Sequence, residues 1–565
     1  MSRFLPERIA QQFRTIKSED FPGVLVPLAQ ANRRSSLQHT TDTLAGGAPP
    51  AYNDKDESKR DNADAERASV SSSQVAYDPR TLEGLRAEIE ADAAAFGVDS
   101  VYDRKSKVIN KAIQDMGMGR YQWQLFVLCG FGWFADNTVR FTTLSLFVGL
   151  CLGASFWGIA SDIVGRRLAF NTTLFIGAVF GTAVGGADSW IAICALYACM
   201  GLGIGGNLPV DGALFLEFLP MASGNLLTLL SVWWPVGSLL ASLIAWGLIP
   251  SFSCSSAEGC MKADNMGWRY FTFTLGGITF LQWIARFVVF QMFESPKFLL
   301  SRGRQAEAVA VVHGLAYKNR TTTWLTVDIL NDVGGDPEAQ GEGAKLSVVD
   351  IVKRSLSKFS ADRIGPLFGN WKLGLTTGLL WFEWFTIGLA YPLFNAFLPQ
   401  YLAQSTTGGE PSSTYITYRN YAISTIVGVP GSLIAAYTVD VKYVGRKGTM
   451  AIATMLTGVF VCLFTVSSES DFQLAFTCLE SMFQNAAYGV LYAYTPEVFP
   501  APNRGSGTGV ASFLNRIGGI CAPLIGIYAS TSNPKSPIYA CGALFLAAFL
   551  SMLGLPIETR GKQSL

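Results

Sequence analysis

Long apolar runs separated by short polar turns make up most of the chain after the first 117 residues. Most runs are close to the roughly 20 residues that a helix needs to cross a bilayer. In an open chain only helices can cross, because every backbone polar group must be paired within the membrane. The pattern predicts twelve membrane spans, numbered in chain order: Tyr121–Asp136, Phe141–Ala160, Leu168–Ala187, Trp190–Val210, Leu226–Ile249, Tyr270–Met292, Leu373–Phe394, Tyr421–Tyr437, Thr449–Val466, Phe472–Tyr492, Gly507–Ile527 and Pro537–Leu555.

The residues before span 1 are polar. Ala45–Asp78 is rich in Ser, Asp, Lys and Ala without apolar periodicity, which predicts disorder. Met1–Phe21 has no apolar core of signal-peptide length, so no cleaved signal is expected. Two short amphipathic helices are predicted where apolar residues recur at helical spacing, namely Leu82, Leu85, Ile89 and Phe96, then Val108, Ile109, Ala112, Ile113 and Met116.

Loop charge predicts the orientation. Lys and Arg concentrate in the turns after the even-numbered spans and are sparse on the other side. The positive-inside rule therefore places both termini and the long loop after span 6 in the cytoplasm. Four regions follow: a partly disordered cytoplasmic tail (1–117), an N-terminal six-helix bundle (118–292), a cytoplasmic middle loop (293–371), and a C-terminal six-helix bundle with a short tail (372–565).

Composition agrees with a membrane protein. Of 565 residues, 50% are apolar and only 15% are charged, with mean hydropathy +0.29. The net charge of +1 gives no indication of nucleic-acid binding. Eight of the ten Cys lie inside apolar runs, which favours packing over a metal site. Cys254 and Cys260 share a polar outer loop, where either a disulfide or two free thiols can persist. Both His lie outside the spans, which excludes a His relay in the membrane.

A short charged turn occurs twice. Gly158–Arg167 follows span 2 and Tyr437–Lys447 follows span 8, and both read as Asp, Gly, Arg and a second cation. A Gly permits the tight reversal, and the cations suit the electronegative end of the preceding helix. Acidic signals recur in the same order in each half, since Glu217 after span 4 matches Glu497 after span 10. A duplicated six-helix unit explains this repetition.

These motifs resemble the major facilitator superfamily, especially its sugar-porter branch. The Glu294–Leu300 and Pro556–Gly561 segments are sugar-porter-like, and Gly117–Trp123 and Asn207–Asp211 resemble the synaptic-vesicle-glycoprotein-like branch that includes fungal metabolite transporters. The resemblance implies an all-α membrane protein with the major facilitator fold, two six-helix bundles and twelve transmembrane helices. It further implies transport by alternating access.

The resemblance also implies a gating network on the cytoplasmic face. The alternative interpretation is a set of solvated turn residues. The sequence departs from the family pattern after Glu217, where Ser223-Gly224 replaces Arg-Gly. The residues assigned to this gating latch are Asp162, Gly165, Arg166, Arg167, Glu217, Asp440, Gly445, Arg446, Lys447, Glu497 and Arg504.

Charged residues inside spans are costly in lipid and should face a cavity or a partner. Asp136 and Glu383 lie on the corresponding first spans of the two halves, where a carboxylate in a half-dry cavity could carry a proton. The alternative is a structural ion pair with Arg286 or Arg516, and Glu480 is a further acid within a span. The residues assigned to the proton or substrate cavity are Asp136, Glu383, Trp381, Asn207, Asp211, Asn395, Asn485 and Arg516.

Two further features bear on the fold. Span 1 ends at Asp136 and is followed by a very short connection, which predicts a shortened first helix. Gly201–Gly206 fits a dinucleotide-binding pattern, but it lacks the strand–helix context, so close helix packing is favoured.

The predicted function is proton-coupled symport of a small polar organic solute, either sugar-like or a carboxylate metabolite. A non-transporting sensor, or a transporter inactivated by the short span 1, is the alternative. No enzymatic site, cofactor or metal is expected, and the partners are the solute, protons and the lipid bilayer. The protein is expected to be a monomer in the plasma membrane.

Overall fold

The computed structural model describes residues 15–31, 78, 80–96, 101–136, 143–220, 225–254, 260–288, 290, 292–335, 364–404, 406–407, 410–499, 504–532 and 535–559. Residues 45–77 of the segment with predicted disorder lie outside this part, as do the Ser223-Gly224 departure and the connection that follows Asp136. The chain forms two compact units, one of Met1–Thr15, Met118–Arg302 and Ala344–Leu565, the other of Ile16–Gly117 and Gly303–Gly343.

The larger unit is helical. Its first half comprises span 1 (Arg120–Asp136), span 2 (Thr143–Val164), span 3 (Arg166–Val184), span 4 (Trp190–Ile204 and Asn207–Phe218), span 5 (Asn225–Leu230 and Trp233–Phe252) and span 6 (Gly267–Val288), followed by the short helix Pro296–Ser301. Its second half comprises span 7 (Trp371–Asn395 with Leu398–Ala403), span 8 (Thr414–Thr438), span 9 (Gly445–Phe464), span 10 (Ser470–Val498), span 11 (Arg504–Ser532) and span 12 (Ser536–Leu553).

A few short elements complete this unit. The 3-10 turns Lys262–Asp264 and Gly365–Phe368 precede spans 6 and 7. A two-stranded antiparallel pair, Thr406–Thr407 with Glu410–Pro411, follows span 7. These elements lie in the connections, so the fold remains all-α.

Seven helices within the described residues are long and apolar enough to cross a membrane, namely Arg166–Val184, Thr228–Phe252, Trp371–Ala403, Thr414–Thr438, Gly445–Phe464, Ser506–Ala529 and Ser536–Leu553. Leu144–Gly158 and Trp190–Ile204 are shorter apolar helices. Span 4 falls short because it is broken near Gly205–Gly206. Span 1 has 17 residues, whereas span 7 begins with a helix of 25 residues. The helix of span 1 extends to the last described residue before the connection, so the shortening expected from the sequence stays a prediction.

Helix packing repeats between the halves. In the first half span 2 packs on span 4, span 3 on spans 4 and 6, and span 1 on span 5. In the second half the same pairs recur six spans later: span 8 on span 10, span 9 on spans 10 and 12, and span 7 on span 11. The halves meet through span 5 against span 8 and span 2 against span 11. When each span is replaced by its counterpart in the other half, six spans away, each of these two contacts becomes the other. The predicted duplication is therefore present in the fold.

The Gly201–Gly206 segment packs helices together. A Cβ added at Gly201 would lie 2.6 Å from the carbonyl oxygen of Leu146 on span 2. A Cβ at Gly203 would lie 2.8 Å from the carbonyl oxygen of Thr173 on span 3. Only glycine permits such close backbone approach. The packing interpretation of this pattern is confirmed.

The smaller unit joins the tail to the middle loop. It contains the helices Leu82–Phe96, Val101–Met116, Gln305–Asn319 and Val327–Gly334, and the 3-10 turns Ser18–Asp20 and Leu28–Gln30. Both predicted amphipathic helices are present, and Leu85 and Val108 are fully buried. Thr323 bonds to the tail through both backbone groups: its N–H donates to Val24 (2.8 Å) and its carbonyl accepts from Val26 (3.0 Å). The sequence predicted separate tail and loop regions, whereas here parts of both form one unit.

Candidate functional site

A cavity of about 150 Å³ lies between the two halves of the larger unit. Spans 2 and 5 contribute one wall, and spans 7, 8, 10 and 11 contribute the other. The lining residues include Phe147, Trp234, Ser238, Tyr391, Asn395, Tyr421, Ser424, Thr425, Thr477, Glu480, Ser481, Gln484, Asn485, Tyr488, Tyr492, Asn515 and Arg516. A pocket at the junction of duplicated bundles is a typical position for a solute site.

The cavity lies away from the end of the bundles that carries the turns after spans 2 and 8, here named the charged end. On span 10 the lining stops at Tyr492, about 9 Å before the helix ends at Val498. Asn515 is about 17 Å along span 11 from its start at the charged end, Arg504. The cavity therefore lies at mid-depth in the larger unit, and spans 2 and 7 extend it toward the end opposite the charged end.

Span 10 carries a polar stripe into the cavity. Thr477, Glu480, Ser481, Gln484 and Asn485 recur at three- and four-residue intervals, so they share one helix face. The amide of Asn395 on span 7 donates to Gln484 Oε1 (3.0 Å) and to Glu480 Oε1 (3.4 Å). Glu480 is only 1% exposed. The network holds a carboxylate at the cavity wall.

Arg516 contributes a cation to the same cavity. Its neighbour Asn515 donates from Nδ2 to the carbonyl oxygen of Trp384 (3.1 Å), which fixes span 11 against span 7. Gly388 makes this contact possible, because an added Cβ would lie 2.8 Å from Asn515 Cα. Within the described residues, Arg516 forms no ion pair with a carboxylate, and its Nε has no hydrogen-bond partner.

Aromatic rings close the cavity on the side of the charged end. Trp234 of span 5 lies 4.7 Å from Tyr492 of span 10 between ring centroids, and it stacks on Trp133 of span 1 at 4.6 Å. Trp384 of span 7 lies 4.5 Å from Tyr492. Trp234 and Tyr492 are the lining residues nearest the charged end on their spans. Their contact therefore joins the halves and blocks the cavity there.

Several residues assigned to the cavity lie elsewhere. The Glu383 carboxylate is fully buried inside the second half, where Oε1 accepts from Ser551 Oγ on span 12 (3.1 Å). Trp381 donates from Nε1 to the carbonyl oxygen of Gly507 (3.0 Å). Neither residue is part of the cavity lining, because span 7 turns these side chains toward spans 11 and 12. Asp136 is the last residue of span 1, and its side chain is outside the described part.

Asp211 and Asn207 belong to a buried cluster inside the first half. Asp211 Oδ2 lies 3.3 Å from the Arg286 guanidinium, and both side chains are fully buried. Arg286 also donates to the carbonyl oxygens of Phe170 (2.7 Å) and Leu128 (2.8 Å). Asn207 is fully buried nearby on span 4. The structural ion pair expected for Arg286 thus exists, and among the described carboxylates its partner is Asp211 rather than Glu383.

Two acidic side chains contact the first charged turn. Glu294 accepts from the backbone N–H groups of Arg166 (2.9 Å) and Arg167 (3.2 Å) at the start of span 3. The Arg166 guanidinium lies 3.3 Å from Glu217 Oε1 on span 4. Burial raises the pKa of Glu294 above its ordinary value, while the backbone N–H donors act in the opposite direction. A carboxylate at a helix N-terminus is stabilised by these donors and the helix dipole.

The second turn repeats this geometry. Glu558 accepts from the backbone N–H groups of Arg446 (3.2 Å) and Lys447 (3.2 Å), and the Arg446 guanidinium lies 2.7 Å from Glu497 Oε1. Thr559 Oγ1 also donates to Glu497 (3.0 Å). Each network ties helices within one half. Glu217 and Glu497, which match in the sequence, occupy the same place in the two networks.

Two of the assigned gating residues add side-chain contacts beside these networks. Arg167 donates to the carbonyl oxygen of Met292 (3.3 Å), and Lys447 Nζ donates to that of Leu555. Asp440 is exposed. The side chains of Asp162 and Arg504 lie outside the described residues.

Four contributing residues are absent from the assignment based on sequence. Glu480 and Gln484 belong to the polar stripe of span 10, and the three- and four-residue spacing of that stripe could have identified them. In the sequence Glu294 and Glu558 only mark the motifs that end spans 6 and 12. Their role depends on contact with turns more than 100 residues away, and no local pattern encodes such a contact. The structure also joins Cys254 to Cys260 by a disulfide, one of the two alternatives that the sequence left open.

Comparison with known proteins gives concordant results. The family profile "Major Facilitator Superfamily" matches residues 380–564, and the profile "Sugar (and other) transporter" matches residues 69–325. The chain is 44% identical over 510 residues to MFS siderochrome iron transporter 1 of Ceriporiopsis subvermispora (strain B), covering 86% of this chain and 97% of that protein. It is 40% identical over 493 residues to Major facilitator-type transporter hxnZ of Emericella nidulans, covering 81% and 88%.

Solved structures resemble the fold. The proton:xylose symporter XylE bound to 6-bromo-6-deoxy-D-glucose matches with a TM-score of 0.55 at 17% identity, covering 79% of this chain and 98% of that one. At this identity the likeness concerns the fold alone.

Proposed function

The chain belongs to the major facilitator superfamily, and we propose that it is a proton-coupled symporter of a small polar organic solute that works by alternating access. As a transporter of the sugar-porter type, it is an integral multi-pass membrane protein rather than an enzyme. The observation that carries the proposal is the cavity between the halves, which contains both a carboxylate and a cation.

Alternating access is supported by the asymmetry of the contacts between the halves. The halves enclose a cavity away from the charged end and are closed by aromatic rings toward it. If the charged end is cytoplasmic, as loop charge predicts, this is an outward-facing state. Rocking of one half against the other would separate Trp234 from Tyr492 and open the inner side. The networks at the two charged turns would hold the helices of each half together during this movement.

Proton coupling is assigned to Glu480 in place of Glu383. Glu480 lines the cavity, so one proton can reach it from the solute side and leave with the solute after rocking. Glu383 is buried against Ser551, away from the cavity lining. Asp136 stays a candidate proton carrier on the basis of the sequence alone.

The sensor alternative receives less support. Trp133 of span 1 reaches the aromatic contact between the halves, so the first helix takes part in the central structure. The remaining expectations form part of the proposal: cytoplasmic termini, a plasma-membrane location and a monomeric state.

Uptake into proteoliposomes that contain the full chain tests this function. Radiolabelled xylose, xylitol and benzoate are supplied with and without an inward proton gradient. We expect the gradient to accelerate uptake of at least one of them, and Glu480→Gln to abolish that acceleration. Glu383→Gln, a second buried carboxylate of the same half, is the matched control and should retain it. Proton-coupled symport would be contradicted if the proton gradient does not change the uptake of any of the three probes, or if none of the three is taken up.

A further inference from the structure

The charge balance of the cavity restricts its solute. Among the described residues that line the cavity, Glu480 is the one carboxyl group and Arg516 the one basic group. When Glu480 is ionised the lining is neutral, and when it is protonated the lining carries one positive charge. The protonated cavity is therefore short of one negative charge.

Arg516 is suited to supply the binding contact. It forms no ion pair with a carboxylate within the described residues. A guanidinium in a partly dry site still requires acceptors, and its planar fork matches the two oxygens of a carboxylate. Arg286, which is buried in the middle of the first half, already has Asp211 as its partner. Arg516 is thus the cation available to a solute.

The remaining walls suit a flat ring. The rings of Trp234, Tyr391 and Tyr488 face the cavity, and Tyr391 and Tyr488 meet edge to face at 5.4 Å. Edge-to-face and offset packing are the arrangements that aromatic rings prefer. A cavity of about 150 Å³ has the size that accommodates one benzene ring in a protein core. The cavity therefore has room for one ring.

We propose that the solute is a single-ring monocarboxylate whose carboxylate binds Arg516, and that protonation of Glu480 and binding of this anion strengthen each other. The inference rests on the proposed function and names its substrate class. The coupling follows from charge: a proton on Glu480 removes the negative charge that would repel the anion. By linkage, the bound anion raises the affinity for that proton to the same degree.

Few other titratable groups face Glu480. Span 8 contributes Tyr421 and span 7 contributes Tyr391 to the shared cavity, and span 11 contributes Arg516. Spans 9 and 12 contribute the thiols of Cys462 and Cys541. Residues 225–252 of span 5 contain no ionisable side chain. Tyrosines and buried thiols stay neutral through the acidic range, so Glu480 is the group that titrates there.

Binding to the purified full chain in detergent tests the inference without transport. Radiolabelled benzoate is the probe, and benzamide, its neutral analogue, and xylose are the comparisons. We expect benzoate to bind more tightly at about pH 5.5 than at about pH 7.5 and more tightly than either comparison. Arg516→Gln should weaken benzoate binding about 10- to 100-fold, and Arg516→Lys should restore part of it. Arg419→Gln, which removes a cation outside the cavity lining, is the matched control.

The second half of the test concerns coupling. Glu480→Gln imitates the protonated acid, so we expect tight benzoate binding that no longer changes with pH, whereas Glu383→Gln should keep the pH dependence. Xylose or benzamide binding as tightly as benzoate, or benzoate binding unaffected by Arg516→Gln, would overturn the substrate class. Benzoate that binds as expected, while none of the three probes is moved in proteoliposomes, would overturn the transport proposal and leave the binding site at Arg516 intact.

Discussion

Gly165 and Gly445 show how one residue type can decide a local contact. Both have positive φ, +106° and +62°, and both lie against the acid that accepts from the following helix. A Cβ at Gly165 would lie 2.7 Å from Glu294 Oε2, and one at Gly445 would lie 2.9 Å from Glu558 Oε2. The sequence predicted glycines for tight reversal. Close approach of a carboxylate is a second requirement that only the structure reveals.

We predict that Gly165→Ala lowers the stability of the purified protein by about 1–3 kcal/mol, because alanine strains this backbone conformation and displaces Glu294. The measurement is thermal unfolding in detergent. Gly158→Ala is the matched control from the same motif: Gly158 is helical and nothing lies within 4 Å of an added Cβ. It should be neutral or stabilising by up to about 1 kcal/mol. Equal melting temperatures for the two variants would show that Gly165 is not constrained.

The buried charges show where residue-level reasoning ends. The sequence indicated that charges inside spans need a partner or a cavity, and Arg286, Arg516 and Glu480 each satisfy this rule. The sequence could not show which of these charges has a buried partner and which faces the cavity. Glu383 and Glu480 are both acids within apolar helices of one half, yet only Glu480 lines the cavity. The difference depends on how each helix is rotated against its neighbours.

At the scale of elements, the smaller unit depends on contacts between distant segments. His313 is 5% exposed on the helix Gln305–Asn319, and its Nε2 lies 2.8 Å from the carbonyl oxygen of Leu325. Burial lowers the pKa of His313 below its ordinary value of 6.5, and the bond to Leu325 offsets part of this effect. A neutral imidazole with Nε2–H donating satisfies the contact.

This pKa shift predicts an acid-sensitive unit. Below about pH 6.5 the unfolded segment binds a proton that the folded one excludes, so stability falls as pH decreases and is fully retained above that value. The measurement is hydrogen exchange of the helix Gln305–Asn319 in the full chain between about pH 7 and about pH 5, corrected for intrinsic rates. His313→Gln should remove the pH dependence, whereas His39→Gln should retain it. Exchange equally fast at both pH values in the unaltered chain would refute a buried neutral imidazole.

At the scale of the whole larger unit, the contact between spans 5 and 10 defines the state. A Cβ added at Gly489 would lie 3.4 Å from Ser231 Cβ in the opposite half, close to the separation that a disulfide requires. Ser231 lies three residues from Trp234 toward the charged end, whereas Gly489 lies three residues from Tyr492 away from it, so the contact is level with the aromatic rings that join the halves. Separation of the two halves at that end would have to break it.

We therefore predict that oxidation of the Ser231→Cys/Gly489→Cys variant traps the state seen here. Uptake of benzoate into proteoliposomes should stop because the two halves can no longer separate. Binding of benzoate to the purified protein should persist. A reducing agent should restore uptake. The two single-cysteine variants are the controls and should not respond to oxidation. Unchanged uptake by the fully cross-linked protein would argue against separation of the halves at this end.

The sequence by itself determined the twelve apolar spans, the duplication and the acids that match between the halves. These properties depend on local pattern and on helix length relative to the bilayer, and both can be read along the chain. Only the tertiary structure decided that Glu480 and Arg516 share the cavity, that Asp211 pairs with Arg286, and that the tail and the middle loop form one unit. Each of these contacts depends on helix rotation and on packing between segments far apart in the chain. A periodic pattern indicates that a face is buried but not what it is buried against.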